Sequence, residues 1–317
     1  MIALLIDTAG QSFRLSLKEV NQWQPEDGFL WLHFDYALDV AIDWINDQSE
    51  INDVAKEYLL AEDTRPRVAH IKNSLLVSLR GINLNPGSDP EDMIAVRLWA
   101  DQYRVISTTR RNLLSISEIA GGMEEDGEPA NSSLFIVELI SRIVDRMDDN
   151  INGIEERLAD CEEQVIGLGS TSLRKQLSEI RRESLALRRY LAPQREALSR
   201  LCNEKIPWMG TNSIYRLREV ADQQIRYIEE LDSIRDRAMI IHEELVSSLS
   251  EQMNARMYVL SLVTVIFLPL GFLTGLFGVN VGGIPGAENK AAFYFFVGIL
   301  TGLALVLLFF LKRKKWL

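Results

Sequence analysis

The sequence is poor in the residues that form disulfides and bind structural metals. Its 317 residues include two cysteines, Cys161 and Cys202, and three histidines, His33, His70 and His242. Two distant cysteines do not make a disulfide framework, which fits a reducing compartment for the soluble part. No Cys-x-x-Cys or His-x-x-x-His pair occurs, so the usual signature of a structural metal ion is missing. We therefore expect no permanently bound cofactor.

The chain also lacks the short motifs of common enzyme classes. No Gly-x-x-x-x-Gly-Lys-Ser/Thr loop is present, so ATP hydrolysis is not indicated. No Gly-x-Ser-x-Gly elbow of a serine hydrolase occurs either. The net charge of −11 opposes nucleic-acid binding, which requires a basic surface. We expect neither enzymatic activity nor a nucleic-acid partner.

Two long segments contain no charged residue. Residues 257–277 and 291–311 are apolar runs without Asp, Glu, His, Lys or Arg. A helix of about 20 apolar residues crosses the hydrocarbon core of a bilayer. Because only a short polar loop joins the two runs, they predict a transmembrane hairpin. A buried ion ligand normally needs an ionisable side chain, so an ion passing these spans would keep most of its water shell.

Basic residues near the two runs predict their orientation. Arg256 precedes the first run and the basic residues 312–315 follow the second, whereas the loop has only Lys290, offset by Glu288. The positive-inside rule then places both termini in the cytoplasm. The predicted organisation is a cytoplasmic α/β domain (1–130), a cytoplasmic helical stalk (131–256), a first transmembrane helix (257–277), a periplasmic loop (278–290), a second transmembrane helix (291–311) and a basic cytoplasmic tail (312–317).

The N-terminal part has the pattern of a mixed α/β domain. Residues 100–102 suit a hairpin turn, and the Gly-, Glu- and Asp-rich segment Gly121–Asn131 predicts a loop. Four runs rich in β-branched and aromatic residues predict strands at Phe29–Phe34, Ser74–Arg80, Met93–Trp99 and Tyr103–Thr108.

Residues at alternating spacings of four and three predict two long helices that pack side by side. Residues 167–171 suit the turn between them, and Pro193 is expected to kink the second helix or to end its first half. The first series is Ile140, Val144, Met147, Ile151, Ile154, Leu158, Cys161 and Val165. The second series is Leu173, Leu177, Ile180, Ser184, Leu187, Leu191, Gln194, Leu198 and Leu201.

A third helix is predicted to connect the soluble part with the bilayer. After a break at residues 207–212, no Pro or Gly occurs before Pro269. One helix could therefore run from about Ser213 to Phe277, on the order of 100 Å at about 1.5 Å per residue. The expected fold class is an α+β membrane protein, with an N-terminal α/β domain, a long helical stalk and a C-terminal two-span hairpin.

The first apolar run carries a stripe of polar and small residues. Two helices cannot enclose an aqueous path, so a conducting form would need several copies around an axis. The Gly-x-x-x-Gly pairs in the two runs, at 271 and 275 and at 298 and 302, fit plain helix packing equally well. Heptad-type steps predict the pore-lining residues as Asn254, Ser261, Thr264, Leu268, Gly271 and Gly275.

Gly278, Val279 and Asn280 follow the first apolar run. Helix C-termini carry partial negative charge and unpaired carbonyls, which attract a cation. The carboxamide oxygen of Asn280 can accept hydrogen bonds from the water shell of a metal ion. Gly278 allows the backbone to leave the helix without a steric penalty. Taken alone, these three residues fit a simple helix stop better than a metal filter.

The wider context of this Gly-Val-Asn segment resembles the CorA metal-ion transporter family. Residues 267–280 are similar to the membrane signature of that family, which places Gly-x-Asn after the first of two spans. The valine of the segment, the loop residues 282–286 and the ending 315–317 look like the zinc-transport branch of the family. In the soluble part, Thr64–Val68 and Arg188–Arg195 are also similar.

The resemblance implies a homopentameric funnel in the bacterial inner membrane, with a pore lined by the first span. It implies that Gly278, Val279 and Asn280 form a selectivity filter at the outer mouth. It also implies zinc as the transported ion, taken up into the cell, with coupling to protons as one option. The partners would then be divalent cations, the bilayer and further copies of the chain.

Weaker candidates for metal binding lie in the soluble part. Asp145, Asp148 and Asp149 form an acidic cluster that could bind a divalent ion between subunits, although a solvated helix face explains them more simply. Cys161 and His242 are each followed by two glutamates and could join a cytoplasmic metal site. Cys161 also belongs to the heptad series, which favours a packing role.

Two alternatives to zinc transport remain open. The same architecture could carry magnesium, cobalt or nickel, because the nearly neutral loop does not settle the metal preference. The chain could also be a membrane-anchored helical scaffold that conducts nothing, an interpretation that the heptad series supports.

Overall fold

The computed structural model describes residues 1–48, 51–62, 64–165, 171–278 and 291–313. It divides into two compact units, Met1–His242 and Glu243–Leu317. The strands are β1 (Ile2–Ile6), β2 (Ser12–Arg14), β3 (Phe29–Asp35), β4 (Arg67–Ile71), β5 (Ser74–Gly81), β6 (Ile94–Ala100) and β7 (Arg104–Thr109). The α-helices are α1 (Leu17–Val20), α2 (Asp39–Asp47), α3 (Asp53–Leu60), α4 (Leu114–Asp126), α5 (Ser132–Val165), α6 (Thr171–Asn203), α7 (Thr211–Gly278) and α8 (Ala292–Arg313).

The strands form one sheet in the order β2-β1-β3-β7-β6-β5-β4. Neighbouring strands are antiparallel except the pair β3 and β7, which runs parallel with Trp31 opposite Val105. Parallel neighbours need a crossover connection, and here the chain between them forms α2, α3 and strands β4 to β6. The carboxyl ends of β3 and β7 consequently meet at the same edge of the sheet.

Helices cover both faces of the sheet. On one face, α2 and α3 pack over a core that contains Phe34, Trp44 and Leu59. On the other face, Phe135 of α5 stacks with its ring centroid 4.8 Å from that of Trp31. Fully burying a large apolar side chain contributes about 1.5–3 kcal/mol, so this layered packing is the main source of stability for the α/β unit.

The four predicted strands are confirmed as β3, β5, β6 and β7. The predicted hairpin turn joins β6 to β7, and the N–H of Asp101 donates a 2.9 Å hydrogen bond to the carbonyl of Arg104. In each case β-branched and aromatic residues form a buried strand, as their preference for a packed, pleated surface predicts.

The loop predicted at Gly121–Asn131 is wrong over its first half, because α4 continues to Asp126. Ile116, Ile119 and Met123 recur at helical spacing and are almost fully buried. Their burial outweighs the low helix propensity of the two glycines inside α4.

The two heptad series are confirmed as the buried seam of α5 and α6, except that Val165 is only half-buried. The seam includes polar Gln194, whose Oε1 accepts a 2.7 Å hydrogen bond from the backbone N–H of Arg80. A buried side-chain amide needs a hydrogen-bond partner of this kind. Helix α6 passes through Pro193, so the predicted helix end at this proline is wrong, and the alternative, a kink, stays a prediction. Of the turn predicted at 167–171, residues 167–170 lie outside the described residues, and Thr171 is the first residue of α6.

The long third helix is confirmed as α7, a continuous element of 68 residues that contains Pro269. Its C-terminal part and α8 are both long and apolar enough to cross a membrane. Hardly any of either apolar segment is buried inside the single chain. The two apolar C-terminal helices therefore fit the predicted two-span hairpin.

Candidate functional site

Within the second unit, α7 and α8 approach each other along one side of each helix. The rings of Phe277 on α7 and Phe296 on α8 lie with their centroids 5.2 Å apart. Half-buried residues of α7 recur on the same side as Phe277, and they are Leu262, Ile266, Pro269, Leu270 and Leu273. The half-buried or buried residues of α8 form a matching series, which includes Ala292, Phe296, Leu300, Leu303, Leu307 and Leu311.

The stripe predicted to line a pore lies on the other side of α7. Successive helical residues are rotated by about 100°, so the stripe is centred roughly opposite the side that faces α8. Every member of the stripe is exposed in the single chain, and Leu268 keeps 66% of its surface. A side chain added at Gly271 or Gly275 would meet no atom within 4 Å. The hairpin of one chain thus leaves this face of α7 uncovered.

Threonine hydroxyls of α7 and α8 donate hydrogen bonds to backbone carbonyls of their own helix. The Oγ1 atom of Thr264 donates a 2.8 Å hydrogen bond to the carbonyl of Leu260. The same bond joins Thr301 to Val297 in α8, also at 2.8 Å. With its proton engaged, the hydroxyl of Thr264 presents lone pairs as an acceptor on the exposed stripe. Such an acceptor can bind the water shell of a cation.

The predicted filter segment is only partly described. Gly278 is the last residue of α7, as its role at a helix end predicts. Val279, Asn280 and residues 281–290 lie outside the described residues, so the filter role of the segment stays a prediction.

The acidic cluster in the soluble part is engaged by neutral donors from α7. The hydroxyl of Tyr227 donates a 3.0 Å hydrogen bond to Asp148, and Gln223 donates one of 3.1 Å to Asp145. Burial raises the pKa of Tyr227 to about 12, which keeps this donor protonated. Asp149 lines an open groove of about 420 Å³ beside Arg157. These bonds connect α5 with α7.

Gln223 and Tyr227 are partners of the acidic cluster that the sequence pattern did not predict. Their spacing of four residues places both on one side of α7, and the side-chain amide of Gln223 also donates a 2.7 Å bond to the Tyr227 hydroxyl. The spacing of four residues could have indicated that Gln223 and Tyr227 act together. It does not indicate which carboxylates they contact.

The remaining metal candidates do not converge. Cys161 is buried in the α5–α6 seam, and its thiol lies 3.7 Å from the side-chain oxygen of Gln176. Burial raises the pKa of the Cys161 thiol and thereby disfavours the thiolate that binds metals. His242 is half-buried near the end of the first unit. Among the described residues, no group of three His, Cys, Asp or Glu side chains could hold a metal ion.

Comparison with known proteins gives matches along most of the chain. Residues 26–313 match the family described as CorA-like Mg2+ transporter protein. Zinc transport protein ZntB of Pectobacterium carotovorum subsp. carotovorum is 37% identical over 298 residues, covering 94% of this chain and 90% of that protein. Divalent cation transporter CmaX of Pseudomonas aeruginosa is 39% identical over 295 residues, covering 92% and 89%.

A solved structure supports the same assignment. The structure of the full-length CmaX protein aligns with a TM-score of 0.87 at 35% identity, and the alignment covers 100% of this chain and 98% of that one. The match includes the α/β unit and both apolar helices, so the resemblance to the CorA family inferred from the residues is confirmed. The chain belongs to the CorA-like Mg2+ transporter family.

Proposed function

We propose that this protein carries Zn²⁺ across the bacterial inner membrane through a pore lined by the exposed stripe of α7. The observation that carries this proposal is the two-sided character of α7, in a chain of a transporter family. One side faces α8, and the opposite side presents hydroxyls, glycines and an amide that no part of the described chain covers. Zinc as the cargo is supported by the name of the Pectobacterium relative, a zinc transport protein.

The pore requires several copies of the chain. One hairpin offers a single α7 stripe, and a water-filled path must be enclosed on all sides. We propose the homopentamer that the family resemblance implies, with one α7 from each chain around the axis. Gly298 and Gly302 support this assembly, because they lie on the side of α8 away from α7 and remain exposed. Such small residues let a neighbouring helix approach closely.

The ion would cross the membrane with its water shell largely retained. No Asp, Glu, His, Lys or Arg occurs in residues 257–277, so no carboxylate or imidazole can replace the water of a divalent ion there. Acceptors such as Thr264 would hold the shell, and a ring of Asn280 side chains would select at the outer mouth. The carbonyl ends of several α7 helices would add negative potential at the same mouth.

We further propose that both termini are cytoplasmic and that transport is uptake. The basic residues 312–315 and Arg256 support this orientation. Proton coupling would have to use water, hydroxyl groups or side chains outside the spans, since the two apolar runs contain no Asp, Glu, His, Lys or Arg.

A wider cation selectivity is a second candidate function. The matched family is described by Mg²⁺, and the Pseudomonas relative by divalent cations in general. Magnesium, cobalt or nickel could therefore share the same path. Competition of each ion against Zn²⁺ in one flux assay separates these functions.

Zinc flux into liposomes that enclose a zinc-sensitive dye tests the proposal. The purified protein should admit Zn²⁺, and Asn280→Ala should change the rate or the order of preference among metals. Asn289→Ala is the matched control, because it makes the same change elsewhere in the same loop. The proposed filter role fails if Asn280→Ala transports zinc with the parent's rate and selectivity. A monomer or dimer in mild detergent would instead support a non-conducting scaffold.

A further inference from the structure

A small cavity lies at the edge of the sheet where the parallel strands β3 and β7 end. Its volume is about 150 Å³, and Tyr36 follows β3 into its wall. Arg110 and Arg111 follow β7 into the same wall, and the other charged residues of the lining are Arg80, Glu62 and Asp92. Ligands of open sheets commonly bind outside the carboxyl ends of parallel strands. The cavity therefore lies where ligands of such sheets commonly bind.

The cations that line this cavity differ in their engagement. Arg111 forms an ion pair with Asp92. Arg80 donates hydrogen bonds of 3.0 Å to the backbone carbonyls of Met93 and Thr64. Arg110 is exposed and forms no ion pair with any residue that the structure describes. At least one guanidinium in the lining is thus available to a ligand.

A further arginine, Arg97, contacts two residues that line the cavity. Arg97 is fully buried, and its guanidinium lies 4.7 Å from the ring centroid of Tyr36. Its Nη2 atom donates a 3.0 Å hydrogen bond to the backbone carbonyl of Glu62, which also lines the cavity. Its Nε and Nη1 atoms are buried without a hydrogen-bond partner.

A buried guanidinium with two unpaired donors is unfavourable unless an anion compensates it. Burial lowers the pKa of Arg97, and the hydroxyl of Tyr36 acts in the opposite direction. No carboxylate in the described part of the chain forms an ion pair with Arg97. Arginine is the side chain best suited to bind tetrahedral oxyanions, because its N–H groups form a planar fork.

We propose that this cavity binds one tetrahedral oxyanion of the phosphate type, held by Arg110 and compensating the charge of Arg97. Cavities for drug-sized ligands span about 300–1,000 Å³, so 150 Å³ fits a small ion rather than a nucleotide. The described residues that line the site all belong to the first unit, Met1–His242. The site would make the soluble part responsive to an anion, in addition to any metal that the protein transports.

Equilibrium dialysis of the full-length protein in detergent against radiolabelled inorganic phosphate tests this proposal. Ionic strength is held constant with chloride at pH 7. The parent should bind about one phosphate per chain. Arg110→Gln should weaken binding by about tenfold or more, since a hydrogen bond to a charged group contributes about 1.5–3 kcal/mol. The exposed Arg110 makes a folding defect in this variant unexpected.

Arg195→Gln is the matched control, because it removes one exposed arginine from α6 and should bind phosphate like the parent. Arg97→Lys keeps the buried charge but loses the fork, and it should also weaken binding. Sulfate should displace the bound phosphate, as an ion of the same shape. Absence of saturable binding at millimolar phosphate would overturn the proposal, and so would an equal effect of the Arg110 and Arg195 variants.

Discussion

His33 is expected to make the α/β unit sensitive to acid. Its ring contacts two side chains of the neighbouring strand β7, with Nδ1 2.9 Å from the hydroxyl of Ser107 and Nε2 3.3 Å from that of Thr109. The Ser107 hydroxyl also accepts a 2.9 Å hydrogen bond from the indole of Trp31. Burial lowers the pKa of His33 to about 3, and the positive N-terminus acts in the same direction. The folded protein therefore holds this imidazole neutral.

The size of the effect follows from the two pKa values. In the unfolded chain, a histidine has a pKa of about 6.5. Between about pH 6.5 and about pH 3, the unfolded state binds a proton at His33 that the folded state does not. The free energy of unfolding therefore falls as the pH falls through this window. At about 1.4 kcal/mol per pH unit, the loss is about 2 kcal/mol at pH 5. At pH 7, the low pKa of His33 reduces the free energy of unfolding by only about 0.2 kcal/mol.

Urea unfolding of the full-length protein at pH 7 and pH 5 measures this difference. The fluorescence of buried tryptophans such as Trp31 reports on the α/β unit. Between the two pH values, the parent should lose about 2 kcal/mol more free energy of unfolding than His33→Gln. The control His242→Gln should keep the parent's loss, because it changes a histidine outside the sheet. An equal loss in His33→Gln and the parent would refute the assignment of the acid sensitivity to His33.

Three further predictions concern the helices. Leu158→Ala removes a fully buried side chain from the α5–α6 seam and should cost about 2–5 kcal/mol in urea unfolding, whereas the exposed control Glu156→Ala should stay within about 0.5 kcal/mol. Thr264→Val should slow zinc flux several-fold, because a hydrogen bond contributes about 1 kcal/mol, while Thr301→Val loses the same intrahelical bond and should not slow flux. Cys161 should resist iodoacetamide at pH 7 until the protein is unfolded, since burial raises the pKa of its thiol; labelling of the folded protein at the rate of a free thiol would contradict this.

Much of the fold follows from patterns that are local in the sequence. The strand β3 and the long helices depend on residues within a few positions of each other, and periodicity predicts them correctly. The pairing of β3 with β7 joins Leu30 to Arg104, and no local pattern marks so distant a partner. The misjudged α4 shows the same limit, because the burial of Met123 against other elements outweighs a glycine-rich composition.

The candidate site also follows only in part from local sequence patterns. Helical spacing was sufficient to place Ser261 and Thr264 on one stripe of α7. The side that α8 leaves uncovered depends on the contact between Phe277 and Phe296, which joins two elements and has no sequence signature. The arginines around the sheet edge come from strands β5 and β6 and from the segment after β7, so only the folded sheet brings them together.

We expect the uncovered stripe of α7 to face the metal path. Chemical modification of a single cysteine on that stripe tests it most directly, because the native Cys161 and Cys202 are buried and should not react. Zinc flux into liposomes is measured before and after treatment of Ser261→Cys with a bulky cationic thiosulfonate. We expect the reagent to abolish flux in Ser261→Cys and to leave Val297→Cys active, because Val297 is an exposed residue of α8 outside the Gly298 and Gly302 pair. Stoichiometric modification of Ser261→Cys with unchanged zinc flux would contradict the account.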